Sequence, residues 1–337
     1  MLELKDTSLL DVLRTIENLK EVHKYMLIVL YNIGMYGSCL NMVTFLQKKL
    51  RNNPCGVYLL STSVIDFCIM NVFLLMDIIV GFNPSLAATI HETRIWCKFG
   101  LYLKFILPCL SSTYLTLASI DRFCISSANP TLRQWSSLKI SWIVVVSAFA
   151  IWILIGLHIP ALYDIIYDPI HMGYTCDVAR GSRTIVLVID GFLFSLFNGL
   201  IIPFISCIFG LLIYFNMKKS WARILPQQNT EITATITASA HRTRIVPNRR
   251  SSHMLFMLLV QVLATFFLNI PFIVIYLLKY VDRGPRNLYE AKIFFIFHYI
   301  GLWSYYLNYC KTFYINTLTS RLFRRTLCGQ FSSCLSR

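Results

Sequence analysis

Seven apolar stretches, at about 24–47, 57–81, 95–125, 139–161, 186–217, 252–279 and 290–317, limit what this chain can become. Each is long enough to cross the hydrocarbon core of a bilayer, which takes roughly 20 helical residues. In lipid every backbone N–H and C=O must be paired within the protein, so only helices and closed barrels span. Barrel strands alternate apolar and polar side chains, whereas these stretches are apolar all round. The pattern predicts an all-α membrane protein, a seven-transmembrane helix bundle. Composition agrees: the 337 residues are 56% hydrophobic and 14% charged, against about 45–50% and about 25% in soluble domains.

The net charge of +15 would suggest nucleic acid in a soluble protein. Here the basic residues sit in short loops beside apolar spans, so the expected partner is the lipid bilayer and no nucleic acid. Lys48, Lys49 and Arg51 follow span one, and Arg122, Arg133 and Lys139 follow span three. Lys218, Lys219, Arg223, Arg242, Arg244, Arg249 and Arg250 follow span five, and Arg321, Arg324 and Arg325 lie in the tail. With seven spans these all fall on one face. The excess of Lys and Arg marks that face as cytoplasmic, which places the N-terminus outside. The expected organisation is an extracellular segment over 1–23, a seven-span domain over 24–317, and a cytoplasmic amphipathic helix with a short tail over 318–337.

Within the first segment Leu9, Val12, Leu13 and Ile16 fall at helical spacing, which suggests a short amphipathic helix. Its charges are too closely spaced for a signal peptide. Residues 227–240, between spans five and six, are rich in Thr and Ala; a mobile loop and a helical extension of span five both fit. No internal repeat is visible, which argues against a transporter. No metal-ligand spacing, catalytic triad or phosphate loop points to an enzyme.

Cys97 and Arg122 lie at opposite ends of span three, 25 positions apart, or about 37 Å of helix at 1.5 Å per residue. The Asp121-Arg122-Phe123 triplet therefore sits at the inner surface. Asp66 falls mid-way along span two, where an ionisable group is a functional hypothesis by default.

These residues, in this order, resemble the rhodopsin-like (class A) family of G-protein-coupled receptors over nearly the whole chain. Asp121-Arg122-Phe123 is similar to the family's Asp-Arg-Tyr, Asp66 to its span-two acid, and Pro203 and Pro271 to its prolines of spans five and six. Phe323-Arg324-Arg325 resembles the start of the inner amphipathic helix, here expected over 320–327. The stretch from Lys48 to Tyr58 looks like the first inner loop of invertebrate FMRFamide-receptor-like neuropeptide receptors. Other motifs depart from the pattern. The span-seven Asn-Pro-x-x-Tyr falls on Thr312-Phe313-Tyr314-Ile315-Asn316, and the span-six Trp on Asn269. The span-one Asn falls on Ser38 or Asn41, and the span-five Tyr on Leu211.

The resemblance implies a plasma-membrane receptor with no enzymatic activity. It implies an extracellular ligand, a peptide by the subgroup likeness, with a heterotrimeric G protein and arrestin as inner partners. It assigns Asp121, Arg122 and Phe123 to the coupling switch, and pairs Cys97 with Cys176 in a disulfide. It groups Asp66 with Ser111, Asn269, Asn308 and Thr312. These oxygens suit a sodium ion; a protonated, hydrogen-bonded Asp66 is the other reading. It places Asp77, Leu101, Lys104, Phe105, Pro108, Phe272, Tyr276, His298, Leu302 and Tyr306 around the ligand. Lys104 there disfavours an amine ligand and suits a carboxylate, unless it pairs internally with Asp77. Cys328 and Cys334 are lipidation candidates or plain tail cysteines. An opsin is disfavoured because the resemblance puts the retinal lysine's position at Tyr306, and Lys311 lies more than a turn further inward. A lipid-ligand or chemosensory receptor of the same fold, and a non-signalling receptor, remain as alternatives.

Overall fold

The computed structural model describes residues 2–127, 129–168, 173–178, 183–231, 249–280 and 287–335. His171, Arg180, residues 232–248 and the side chains of Tyr276 and Cys334 lie outside the described residues.

Six described helices are long and apolar enough to cross a membrane: Leu10–Phe45, Pro54–Phe82, Trp96–Ser126, Leu138–Leu162, Gly199–Asn216 and Phe256–Ile275. The seventh span, Leu288–Thr319, is as long but falls short of that hydropathy because of its tyrosines, histidine, asparagines and lysines. It belongs to the bundle all the same, packed between spans one and six, while span three contacts spans two, four and five. Apolar side chains at Ile143, Val146, Phe149 and Leu154 of span four face outward. In water such a face would drive association; against lipid tails it is the expected surface.

Local chemistry sets the helix starts. Asn53 caps span two by accepting from the Cys55 N–H at 3.2 Å, with Pro54 in the first turn, where its missing N–H costs nothing. Ser137 caps span four through the Ile140 N–H at 3.4 Å. Ser320 caps the last helix through the Phe323 N–H at 3.2 Å. Phe323 is buried between Phe45 and Phe313, at ring distances of 5.5 and 6.0 Å. Phe313 occupies the expected proline position, so a ring that anchors the tail helix has replaced a helix breaker.

Close approach is built in where spans one, two and seven meet. A Cβ on Gly34 would stand 2.6 Å from Met70 Sδ and 3.0 Å from Cys310 Sγ, so any larger residue would force the buried Met70 side chain to shift, and glycine lets these helices touch. Spans two, three and five each contain a wide π turn, at Met70–Leu74, Trp96–Gly100 and Gly191–Ile201. Such turns concentrate at functional sites. The third one immediately precedes Ile202 and Pro203, whose ring nitrogen cannot donate to the helix ladder.

Several boundaries differ from the sequence reading. Helix one is continuous from Leu2 to Phe45, 44 residues, so the separate amphipathic helix is simply the first turns of span one. Span five continues as helix to Glu231, following the helical-extension reading that far. The tail helix runs Arg321–Leu335, beyond the expected Leu327. The connection after span four holds an antiparallel hairpin, β1 (Tyr163–Asp168) and β2 (Gly173–Val178), with Ile165 opposite Cys176. The sequence alone did not show it. Two six-residue strands carry too few residues for a period of two to stand out.

Candidate functional site

The outer half of the bundle holds two adjoining cavities that share Asp77, Leu101 and Lys104. The first, about 260 Å³, lies beneath the hairpin and is closed by Trp96, Cys97, Thr175 and Cys176. The second, about 250 Å³, runs toward spans five to seven and is walled by Phe105, Phe194, Phe272 and Tyr306. A disulfide joins Cys97 to Cys176, with the Cα atoms 5.5 Å apart, so β2 is tied to the head of span three. Arg94 Nε lies 3.1 Å from Asp164 Oδ1, and Lys98 donates to the Pro160 carbonyl at 3.0 Å. The hairpin is thus held at two points, and the short helical segment that leads into it at a third.

Of the expected pocket residues, Asp77, Leu101, Lys104, Phe105, Phe272, Leu302 and Tyr306 line this space. Pro108 does not; it lies one turn inward of Lys104 and is buried in helix packing. His298 does not either, being two turns outward of Tyr306 with its ring 5.7 Å from Tyr299. The Asp77–Lys104 ion pair is not formed. Asp77 instead accepts a hydrogen bond from the Tyr306 hydroxyl, and Lys104 makes no ion pair among the described residues. Its ammonium is still felt by His91, which burial and Lys104 together hold below its ordinary value while Asp77 pulls the other way.

Sequence reasoning missed a second acid in the cavity wall. Asp190 of span five takes hydrogen bonds from Tyr163 at 2.9 Å and from His158 at 2.7 Å. The other imidazole nitrogen, Nδ1, lies 2.8 Å from the Ile155 carbonyl. This cluster joins the end of span four, β1 and span five. His158 and Asp190 are 32 positions apart, and no local spacing announces their meeting.

The inner half is arranged differently. Arg122 is 3% exposed and donates to Asp121 Oδ2 through Nε at 3.1 Å and Nη2 at 2.7 Å. Nη2 also donates to Asn53 Oδ1 at 2.6 Å, so the cap of span two holds the arginine. Ser136 donates to the other Asp121 oxygen at 2.5 Å. Phe123 packs on Phe209 at 5.4 Å. The planar guanidinium fork directs two different nitrogens at once, Nε and Nη2, in a fixed geometry that the single nitrogen of a lysine lacks.

Above this, Gln261 donates to Asn316 Oδ1 at 2.5 Å, and Asn316 donates to Asn41 Oδ1 at 3.1 Å. Asn316, standing where the family pattern has Tyr, therefore bridges spans six, seven and one. Of the two span-one candidates, Asn41 is the one in this bridge. The expected span-five position, Leu211, faces outward at 55% exposure and joins no network.

Mid-way along the bundle Asp66 accepts from Ser111 at 2.6 Å and from Thr312 at 3.3 Å. Asn308 and Asn269 bond to each other, at 3.3 Å, rather than to Asp66. Lys311 joins this cluster, donating to the Asn308 carbonyl at 2.6 Å and to the Asn308 side-chain oxygen. Sequence reading weighed Lys311 only as a retinal lysine. Among the described residues no group of His, Cys, Asp or Glu is arranged to hold a metal ion.

No individual curated protein gives a significant match. The family model for the 7 transmembrane receptor (rhodopsin family) matches residues 37–311, a region that takes in the outer cavities, Arg122 and all of the Asp66 cluster but Thr312. The chain therefore belongs to the rhodopsin family of seven-transmembrane receptors.

Proposed function

We propose that this chain binds a peptide in the paired outer cavities and passes the signal to a heterotrimeric G protein at the opposite face. Members of the rhodopsin family are signalling receptors and not enzymes, and the chain is a multi-pass plasma-membrane protein with an extracellular ligand. The finer reading rests on one observation above all. Lys104 presents an ammonium without an ion-pair partner among the described residues, at the junction of two largely apolar cavities. Lys104 is exposed to this space, and a ligand that covered it without a counter-ion would bury a charge at a cost, so one bringing an acidic side chain or a terminal carboxylate would be favoured there. Asp77 and Asp190 in the same walls suit a basic group further along the same peptide. An amine lacking an acidic group would meet repulsion at Lys104. The likeness of 48–58 to FMRFamide-receptor-like loops supports the peptide class.

The orientation is N-terminus outside and C-terminus cytoplasmic, as the Lys and Arg distribution favours. Arg122 is the coupling residue: its partners Asp121 and Asn53 hold it at rest, and it exchanges them for the G protein, or for arrestin, when span six moves. Cys328, exposed on the tail helix, is a membrane-anchoring lipidation site.

The test is G-protein dissociation in cells expressing the chain, challenged with fractionated tissue extract before and after protease digestion. A peptide ligand gives activity that protease destroys. Activity that survives digestion moves the ligand to a lipid acid, which Lys104 would also accept. Silence from every fraction with surface expression intact favours a non-signalling receptor, for which the altered positions Asn269, Phe313 and Asn316 give the motive.

A further inference from the structure

The family likeness raised a sodium ion at Asp66, and the residues around Asp66 can be weighed for that fit. A sodium ion needs several oxygen ligands. The cavity beside Asp66 has a volume of about 20 Å³ and is lined also by Ser111, Thr312, Asn308, Gln261 and Lys311. That is room for about one water. One needed acceptor, the Asn308 side-chain oxygen, already receives Lys311 Nζ. A sodium ion would also bring a second positive charge into a buried site that holds one carboxylate, and uncompensated buried charge is strongly disfavoured. The residues present do not fit the ion.

We infer that Lys311 is itself the resident cation of this site: a tethered counter-charge for Asp66, carried by span seven, that takes the place of an exchangeable ion. Three features of the geometry carry this. Lys311 Nζ has three N–H donors, of which two are directed at Asn308, holding the ammonium at the cavity wall. Asp66 is 2% exposed and accepts from neutral hydroxyls, Ser111 and Thr312, among the described residues. Gln261, 1% exposed, leaves its Oε1 without a hydrogen-bond partner among the described residues while lining the same cavity. One water accepting from the third Lys311 N–H and donating to Gln261 Oε1 and Asp66 would satisfy all three groups.

The consequence is a receptor whose conformational balance ignores sodium. An ion that leaves on activation has no counterpart here, because this cation is covalently part of span seven. The inference stands whatever the ligand proves to be.

The experiment uses the purified full chain in detergent, with thermal unfolding followed in sodium chloride and in choline chloride at equal ionic strength. The wild type is expected to unfold at the same temperature in both salts. Lys311→Met is expected to be less stable in choline and to gain a sodium-specific rise of about 2–4 °C. The double variant Asp66→Asn with Lys311→Met is expected to lose that rise and to recover stability over Lys311→Met alone. A sodium-specific rise in the wild type that Asp66→Asn removes would overturn the inference. So would a folded Lys311→Met chain indifferent to sodium, since the lysine would then not be what fills the ion's role. If Lys311→Met does not fold, the wild-type comparison with Asp66→Asn still decides.

Discussion

The two halves of this bundle treat charge in opposite ways. Outside, beneath the hairpin, Lys104 faces two cavities with no ion-pair partner among the described residues, and Asp77, the acid that lines both cavities with it, is bonded to a tyrosine instead. Inside, Arg122 is 3% exposed yet fully engaged by Asp121 and Asn53, with Ser136 completing the acid's bonds. The outer half leaves a charge for a visitor to answer. The inner half answers its own charges and must break those bonds to act. A receptor needs both arrangements: one end that gains by binding, and one that stays closed until the balance shifts.

The largest expected effect comes from breaking the inner arrangement. Asp121→Ala leaves Arg122 buried without its counter-ion and should lower stability by about 3–5 kcal/mol. A second change, Arg122→Ala, made in the same chain should return part of that loss. Unfolding of the purified single and double variants checks it; an uncoupled pair would mean that the arginine is held by its other bonds alone.

Next in size is the outer tie. Cys97→Ala removes the disulfide to Cys176 and should cost about 2–5 kcal/mol, with loss of ligand response. Protection of the hairpin amides from hydrogen exchange should fall while that around Arg122 is kept. Equal loss in both regions would erase the distinction between the halves.

Lys104→Gln sharpens it in another way. Because the ammonium makes no ion pair among the described residues, stability should change by no more than about 0.5 kcal/mol. The concentration of active fraction needed for response should rise roughly 10- to 100-fold, the worth of one charged hydrogen bond. An equal response from both chains would remove Lys104 from the ligand site.

The smallest effect concerns the hairpin's outer edge. Asp164 is held below the ordinary carboxylate range, chiefly by the Ile165 N–H and then by Arg94. A carboxylate lowered on folding stabilises above its ordinary value, and that contribution fades as pH falls through the lower folded value. Arg94→Gln should therefore loosen the hairpin slightly at neutral pH and make no difference in strong acid. Amide exchange at Ile165, compared between the two chains across this range, reads it out.

How far the sequence reaches follows the same division. Span positions and the inner arginine were legible because hydropathy and a contiguous triplet are local signals. The arginine's second partner was not, since Asn53 lies 69 positions away and reads locally as a helix cap. Asp66 with Ser111 and Thr312 could be assembled from the family likeness, whereas Lys311 entered the same cluster from a position the pattern does not mark. The hairpin, the Asp190 cluster and the Asn316 bridge depend on which helix faces meet. That information lies in packing, and spans that are apolar all round give little hint of which side turns inward.

The unbroken first helix has a mechanical consequence. At 1.5 Å per residue its 44 residues make a rod of about 66 Å, roughly twice the hydrocarbon thickness. Part-way along, His23 accepts from Trp303 of span seven at 3.0 Å and lies against Tyr299. For the part of helix one outward of it, that contact can serve as a fulcrum. The arm from His23 to Leu2 is about 32 Å long, so a tilt of about 5° at the fulcrum swings its tip by about 3 Å. A movement of span seven too small to measure within the bundle would therefore be magnified at the far end of helix one, where a pair of distance labels could read it.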